Sequence, residues 1–174
     1  MDQISESRLQ QVFPALASKV RQMAAALIVL GVEIRVVQVL RTWEEQQALY
    51  EIGRSTPGKK VTNCCGGMSY HNFGLAVDCV PSQFDSSQPF APDWNSSHPD
   101  WRNMISVGKS LGLCSGADWR TFPDFPHFQL TGRFPEGAPS NEVRRIFNAG
   151  GLQAVWDEVS KSLPQTSAAP EVAA

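Results

Sequence analysis

Nowhere does this sequence gather lysine and arginine into a patch: its 15 basic residues are scattered against 17 acidic ones, for a formal net charge of −2. Nucleic-acid binding is dominated by phosphate neutralisation, so no nucleic-acid partner is expected. No apolar run approaches the ~18 residues a membrane helix needs, so no membrane insertion is expected either. The opening Met1-Asp-Gln-Ile-Ser-Glu-Ser-Arg8 lacks a basic segment followed by an apolar one. The expectation is therefore cytoplasmic synthesis without a signal peptide. Cysteine is scarce, and Cys64, Cys65, Cys79 and Cys114 form no Cys-x-x-Cys pair, which argues against a thiolate metal site and for free thiols in a reducing compartment. Internal repeats are absent as well.

What is present fits one folded unit. A chain of 174 residues with 42% hydrophobic content buries about two-thirds of its unfolded surface around one core. We read residues 1–163 as a single domain, expected to be monomeric. Residues 164–174 lack apolar bulk and are read as a disordered tail. Ser7 is a candidate cap for a first turn. After Pro14, the residues Leu16, Val20, Met23, Leu27 and Leu30 recur at steps of four and three, one face of a helix that Gly31 stops. Val32 to Val39 reads as a strand, with Ile34 and Val36 alternating against Arg35 and Val37. Thr42 and Glu45 form a capping box for a helix to about Ile52, closed by Gly53. Residues 54–68 are an aperiodic loop of a length usually kept only for function. Leu75 to Val80 reads as a buried strand, Pro81 to Ser97 as a loop, and His98-Pro99 as the entrance to a helix ending near Gly112, with Trp101, Ile105, Val107 and Leu111 as core positions. His127 to Leu130 is a short strand, Ser140 caps a helix to about Asn148, and Gly150-Gly151 separates it from a last helix over Leu152 to Leu163. The fold class is α+β, a small antiparallel sheet flanked by helices.

The chemistry concentrates in Ser69-Tyr-His-Asn-Phe-Gly-Leu-Ala-Val-Asp78 and in Asp124-Phe-Pro-His-Phe-Gln129. His71, Asp78 and His127 are imidazole and carboxylate groups of the kind that bind zinc, and three protein ligands leave a coordination position open, as in catalytic rather than structural sites. Asp78 sits in an apolar strand, where a carboxylate is costly unless paired or metal-bound. Asp124, three residues before His127, is the candidate general base. Trp119, close to this run, is a candidate wall of a substrate groove. His98, the third histidine, is not read as a ligand.

The run Gly53-Arg-Ser-Thr-Pro-Gly-Lys-Lys-Val-Thr-Asn63, then Gly66 to Asp78, then Asp118-Trp119 and Asp124 to Leu130, resembles the zinc L-alanyl-D-glutamate peptidases of the D-Ala-D-Ala carboxypeptidase superfamily. The resemblance covers about residues 35 to 130. It implies a Hedgehog/DD-peptidase-like zinc peptidase fold, with zinc on His71, Asp78 and His127 and Asp124 as the base. It also implies Arg41 at a strand end facing the scissile carbonyl, and Ser69 at the substrate. The implied activity is hydrolysis of the L-Ala–D-Glu bond of the peptidoglycan stem peptide, with lysis of the cell wall, as by a phage lysin that reaches the wall after release. The alternatives are a D-Ala-D-Ala carboxypeptidase and a non-catalytic zinc-stabilised binding module. Family members often carry Trp-Gly-Gly-Asp-Trp where this chain has Ser115-Gly-Ala-Asp-Trp119, a difference in the pocket wall rather than in the metal ligands.

Overall fold

The computed structural model of the chain describes residues 1–83 and 90–164, so the tail expected to be disordered lies, from residue 165 on, outside the described residues. Helix α1 spans Gln3–Leu9 with Asp2 as its cap, so Ser7 lies inside a helix instead of starting one. The carboxylate of Asp2 accepts from the Ser5 amide, an N-cap bond that the serines of this stretch obscured in the sequence. Helix α2, Pro14–Val29, buries Leu16, Val20, Met23 and Leu27 as their spacing requires. Leu30, assigned to the same stripe, is instead 56% exposed, because the helix ends one residue earlier and Gly31 turns the chain away with φ of 73°.

Strand β1 (Glu33–Gln38) leads through residues 39–42 into α3 (Trp43–Glu51), whose Thr42–Glu45 capping box forms as expected. A single 3₁₀ turn, Tyr70–Phe73, precedes β2, Ala76–Gln83. Strand β2 runs three residues past the expected end, and its partner β3 is Ala91–Pro92, so the segment read as loop from Pro81 to Ser97 contributes two strand pieces. Pro81 fits there because it has no amide hydrogen to place, while its carbonyl accepts from the Asp93 amide at 2.8 Å.

Helix α4 spans Pro99–Ser110 and buries Trp101, Met104 and Gly108, with Ile105, Val107 and Leu111 half-buried against the core. Gly108 is there because a Cβ would lie 2.5 Å from the Phe128 ring. Strands β4 (Cys114–Ser115) and β5 (His127–Gln129) complete the sheet, and α5 (Asn141–Ser162) closes the molecule with a break at Gly150–Gly151, where the sequence separates two helices. The sheet order is β1-β2-β5-β4, with β3 also on β2, and every pairing is antiparallel. Helices with an antiparallel sheet make the α+β architecture that the sequence pattern implied. All four cysteines are free. Among the described residues no helix is long and apolar enough to cross a membrane.

Candidate metal centre and cleft

Two local constraints bring the key side chains together. Asp78 of β2 lies directly opposite His127 of β5, and on its other side opposite Gln38 of β1, where the register slips between Val36 and Gln38. Such a bulge bends a strand and re-aims its side chains, and this one adjoins the site. His71 arrives from the 3₁₀ turn. Ser69 caps that turn, its hydroxyl accepting from the His71 amide, and Asn72 returns the contact while donating to the carbonyls of Arg41 at 2.9 Å and Thr42 at 3.0 Å. The turn is thereby tied to the 39–42 link between β1 and α3.

The resulting constellation is tight. His71 Nε2 lies 3.1 Å from Asp78 Oδ1 and 3.2 Å from His127 Nδ1, and His127 Nδ1 lies 3.4 Å from Asp78 Oδ1. Both histidines are buried, whereas the Asp78 side chain is 18% exposed and so faces the cleft. Each imidazole is held by its outer nitrogen. His71 Nδ1 donates to the Val39 carbonyl at 2.8 Å, and His127 Nε2 donates to Gln129 Oε1 at 2.9 Å. With the neutral rings' protons on those nitrogens, the inner nitrogens present lone pairs to each other and to a carboxylate. Three such acceptors, all within 4.8 Å of one another, form a group that could hold a metal ion. Metal–ligand bonds of about 2.0–2.1 Å in a tetrahedron would put ligand atoms ~3.3 Å apart, the scale of the spacings found. Outer nitrogens fixed by oxygen acceptors are the usual supporting shell of metal-binding histidines.

The electrostatics follow from the same packing. Burial alone would raise the Asp78 pKa, but the two imidazoles hold it far below the carboxylate range. Burial alone would lower that of His127, and the Asp78 carboxylate more than offsets it, so the pKa is raised. Asp124 is raised, first by burial and then by the Asp78 charge. Its amide donates to the Gly116 carbonyl at 2.9 Å, and its carbonyl accepts from the His127 amide at 3.2 Å, which fixes it beside the constellation. Gly116 is required for that approach, since a Cβ there would meet the Asp124 carbonyl at 2.6 Å. Arg41 is 11% exposed, with Nη2 3.7 Å from Asp78 Oδ2 and Nη1 donating to Gln46 Oε1 at 2.6 Å. Trp119 places its ring centroid 4.8 Å from that of His127. His98 caps α4 and pairs with Asp100 at 3.2 Å, and it is not part of the group of potential ligands, His71, Asp78 and His127.

Two grooves border the site, one reaching Asp78 and the other Asp124. One is lined by Arg41, Asp78, Leu49, Ile52, Trp94 and Pro126 among others, and the second by Asp124, Trp119, Arg120 and the 61–64 segment. Residues 64–130 match the family described as D-alanyl-D-alanine carboxypeptidase. The peptidoglycan L-alanyl-D-glutamate endopeptidase CwlK of Bacillus subtilis (strain 168) is 32% identical over 120 residues, spanning 67% of this chain and 72% of that protein. The chain belongs to the L-alanyl-D-glutamate peptidases of the D-Ala-D-Ala carboxypeptidase superfamily. An L-alanyl-D-glutamate peptidase of Listeria phage A118 is 30% identical over 118 residues, 64% of this chain but 37% of that longer protein. The crystal structure of the Serratia marcescens L-Ala D-Glu endopeptidase ChiX superposes with a TM-score of 0.53 at 25% identity, covering 76% of this chain and 90% of that one.

Within this L-alanyl-D-glutamate peptidase, two residues at the cleft escaped the sequence reading. Gln46 is fully buried, bridging Arg41 Nη1 and the Cys64 carbonyl, to which its Nε2 donates at 2.7 Å. A signal existed, since Gln46 lies three residues from both Trp43 and Leu49 and so shares the inward face of α3. Trp94, in the segment read as a loop, is 61% exposed at the groove beside Asp78.

Proposed function

We propose that the protein is a zinc endopeptidase that hydrolyses the L-Ala–D-Glu bond of the peptidoglycan stem peptide, with His71, Asp78 and His127 holding the metal. The observation that carries the metal assignment is the convergence of three lone-pair donors, the Asp78 carboxylate and two imidazoles whose ring protons are committed outward. The bond assignment rests on the similarity to CwlK and ChiX, and it is supported by two grooves, one bordered by Asp78 and Arg41 and the other by Asp124, which offer room for peptide beyond the scissile bond.

Zinc bound at the three residues supplies Lewis-acid polarisation of the amide carbonyl and acidifies a water molecule. Asp124 takes the proton of the attacking water. Its raised pKa brings it closer to neutrality than an ordinary aspartate, which suits a group that must accept a proton and then release it. Arg41 meets the negative charge that grows on the carbonyl oxygen, its guanidinium already positioned by Gln46 and Asp78 and therefore needing little reorganisation. Asp124 then passes its proton to the departing nitrogen. The C–N bond breaks, leaving L-Ala with a new carboxylate and D-Glu with a free amine. Ser69 serves through its cap on the turn that carries His71. Trp119 lines the groove that also contains Asp124.

The test is digestion of purified muropeptides by the zinc-loaded protein, followed by mass spectrometry. A stem fragment with N-terminal D-Glu, with L-Ala left on the muramic acid, is the expected result. Release of free D-Ala alone assigns the chain to carboxypeptidase chemistry. Binding without any cleavage assigns it to the non-catalytic class.

A further inference from the structure

We infer that the two grooves divide the substrate by chemistry: the Trp94 groove takes the muramyl-sugar end, and the Asp124–Arg120 groove takes the D-Glu end. The inference rests on the reading above and deepens it.

The direction follows from which catalytic group opens on which groove. The groove with Trp94 contains Arg41 and Asp78 but not Asp124, and the groove with Trp119 and Arg120 contains Asp124 but neither of the others. In a scissile amide the carbonyl belongs to the acyl half and the nitrogen to the amine half. A carbonyl turned to Arg41 and a leaving nitrogen turned to Asp124 put L-Ala, with the lactyl group and sugar behind it, on the Trp94 side. The rest of the stem peptide then runs past Trp119.

Charge gives a second, separate argument. The acyl half is uncharged near the bond, and apart from Arg41, Glu45 and Asp78 its groove is lined mainly by apolar groups, Val37, Leu49, Ile52 and the indole of Trp94 among them. The amine half carries the D-Glu carboxylate. Two aspartates also line its groove, Asp124 and Asp118, the latter paired with Lys109 at 2.7 Å, whereas Arg120, exposed there, makes no ion pair among the described residues and is the cation left for that carboxylate. An indole presented 61% to solvent at a groove lip is suited to the apolar face of a pyranose ring. Its backbone is anchored on both sides, by the Asp93 amide to the Pro81 carbonyl at 2.8 Å and by the His98 amide to the Asn95 carbonyl at 2.9 Å, so little ordering is lost on binding.

The experiment compares initial rates on N-acetylmuramyl-tetrapeptide with those on the free tetrapeptide, for the wild type, Trp94→Ala and Arg120→Glu, together with binding of the product N-acetylmuramyl-L-alanine measured calorimetrically. The wild type should favour the sugar-bearing substrate in kcat/KM. Trp94→Ala should remove that preference, with a loss of ~2- to 10-fold on the sugar-bearing substrate through KM alone, a clearly smaller loss on the free peptide, and weaker product binding. Arg120→Glu should lower both substrates together without touching product binding. A preference that survives Trp94→Ala, or an equal loss on both substrates, overturns the sugar assignment. Cleavage of both substrates at some other bond would instead overturn the reading it rests on. Because Trp94 is mostly exposed, its replacement leaves the core intact.

Discussion

Replacing Gln46 by Leu tests how Arg41 is held. The side chain is fully buried and makes two hydrogen bonds, one accepted from the Arg41 guanidinium at 2.6 Å and one donated to the Cys64 carbonyl at 2.7 Å. Leucine keeps roughly the volume and removes both. The first bond is charge-assisted, worth about 1.5–3 kcal/mol, and the second is neutral, worth about 1 kcal/mol. Arg41 has little reserve, because its Nε is already buried without a partner and its other contact, to Asp78, is 3.7 Å long. A stability loss of ~3 kcal/mol follows, which in a domain of this size lowers Tm by ~6–12 °C.

Activity should fall further than stability explains. A guanidinium released from Gln46 no longer sits where the oxyanion forms, and loss of one such donor costs about 10²–10³ in kcat. Gln46→Glu, which still offers Arg41 an acceptor, should retain more kcat than Gln46→Leu even though it loses the bond to Cys64. The assay is kcat on muropeptide at a temperature well below every variant's Tm, with zinc content measured in parallel. Arg41→Ala supplies the decisive background. If Gln46 acts through Arg41, then Gln46→Leu added to Arg41→Ala costs almost no further kcat, a strongly non-additive cycle. Additive losses, or a Gln46→Leu variant with lowered Tm and unchanged kcat, refute the reasoning and leave Gln46 a packing residue.

The difference between what was legible and what was not lies in how local each signal is. His71, Asp78 and His127 stood out because a carboxylate in an apolar strand, and imidazoles in short runs of glycine, proline and aromatics with a carboxylate nearby, contradict their surroundings, and the structure brings them within 4.8 Å of one another. The Thr42–Glu45 box and the α2 face were legible because capping and helical period are fixed by spacings of three and four residues. Gln46 was not, because its two partners lie 5 residues upstream and 18 downstream, and a glutamine at an inward position signals nothing until both are in place. The continuation of β2 through Pro81 was hidden for a related reason. Proline reads as a strand breaker, and only the pairing with β1 and β3 shows that no amide hydrogen is missed there. The Gly116 contact with Asp124 spans a short stretch of sequence, but it depends on how the chain folds back after β4, which no periodicity or capping signal announces.

Changing His71, Asp78 or His127 to Ala should abolish metal binding and activity together; a variant that keeps about one zinc per chain by metal analysis would remove that residue from the ligand set. Asp124→Asn should keep the zinc and lose ~10²- to 10⁴-fold in kcat, and retention of full activity would give the base role to another group. Gly108→Ala should destabilise by about 1–3 kcal/mol, since its methyl would meet the Phe128 ring at 2.5 Å, with thermal melting as the check. The pH profile separates the metal from the base. A proton competes with the metal for Nδ1 of His127, whose pKa is raised by Asp78 against the effect of burial, so zinc affinity should fall as pH falls through that pKa. Saturating zinc restores occupancy, yet an acid limb should persist in kcat, because Asp124 accepts a proton only when ionised and its pKa is raised by burial and by Asp78. The bound dication draws that midpoint down without abolishing it, since ionisation of the base is still required. If the acid limb disappears once zinc is saturating, occupancy alone explains the profile and Asp124 is not the base.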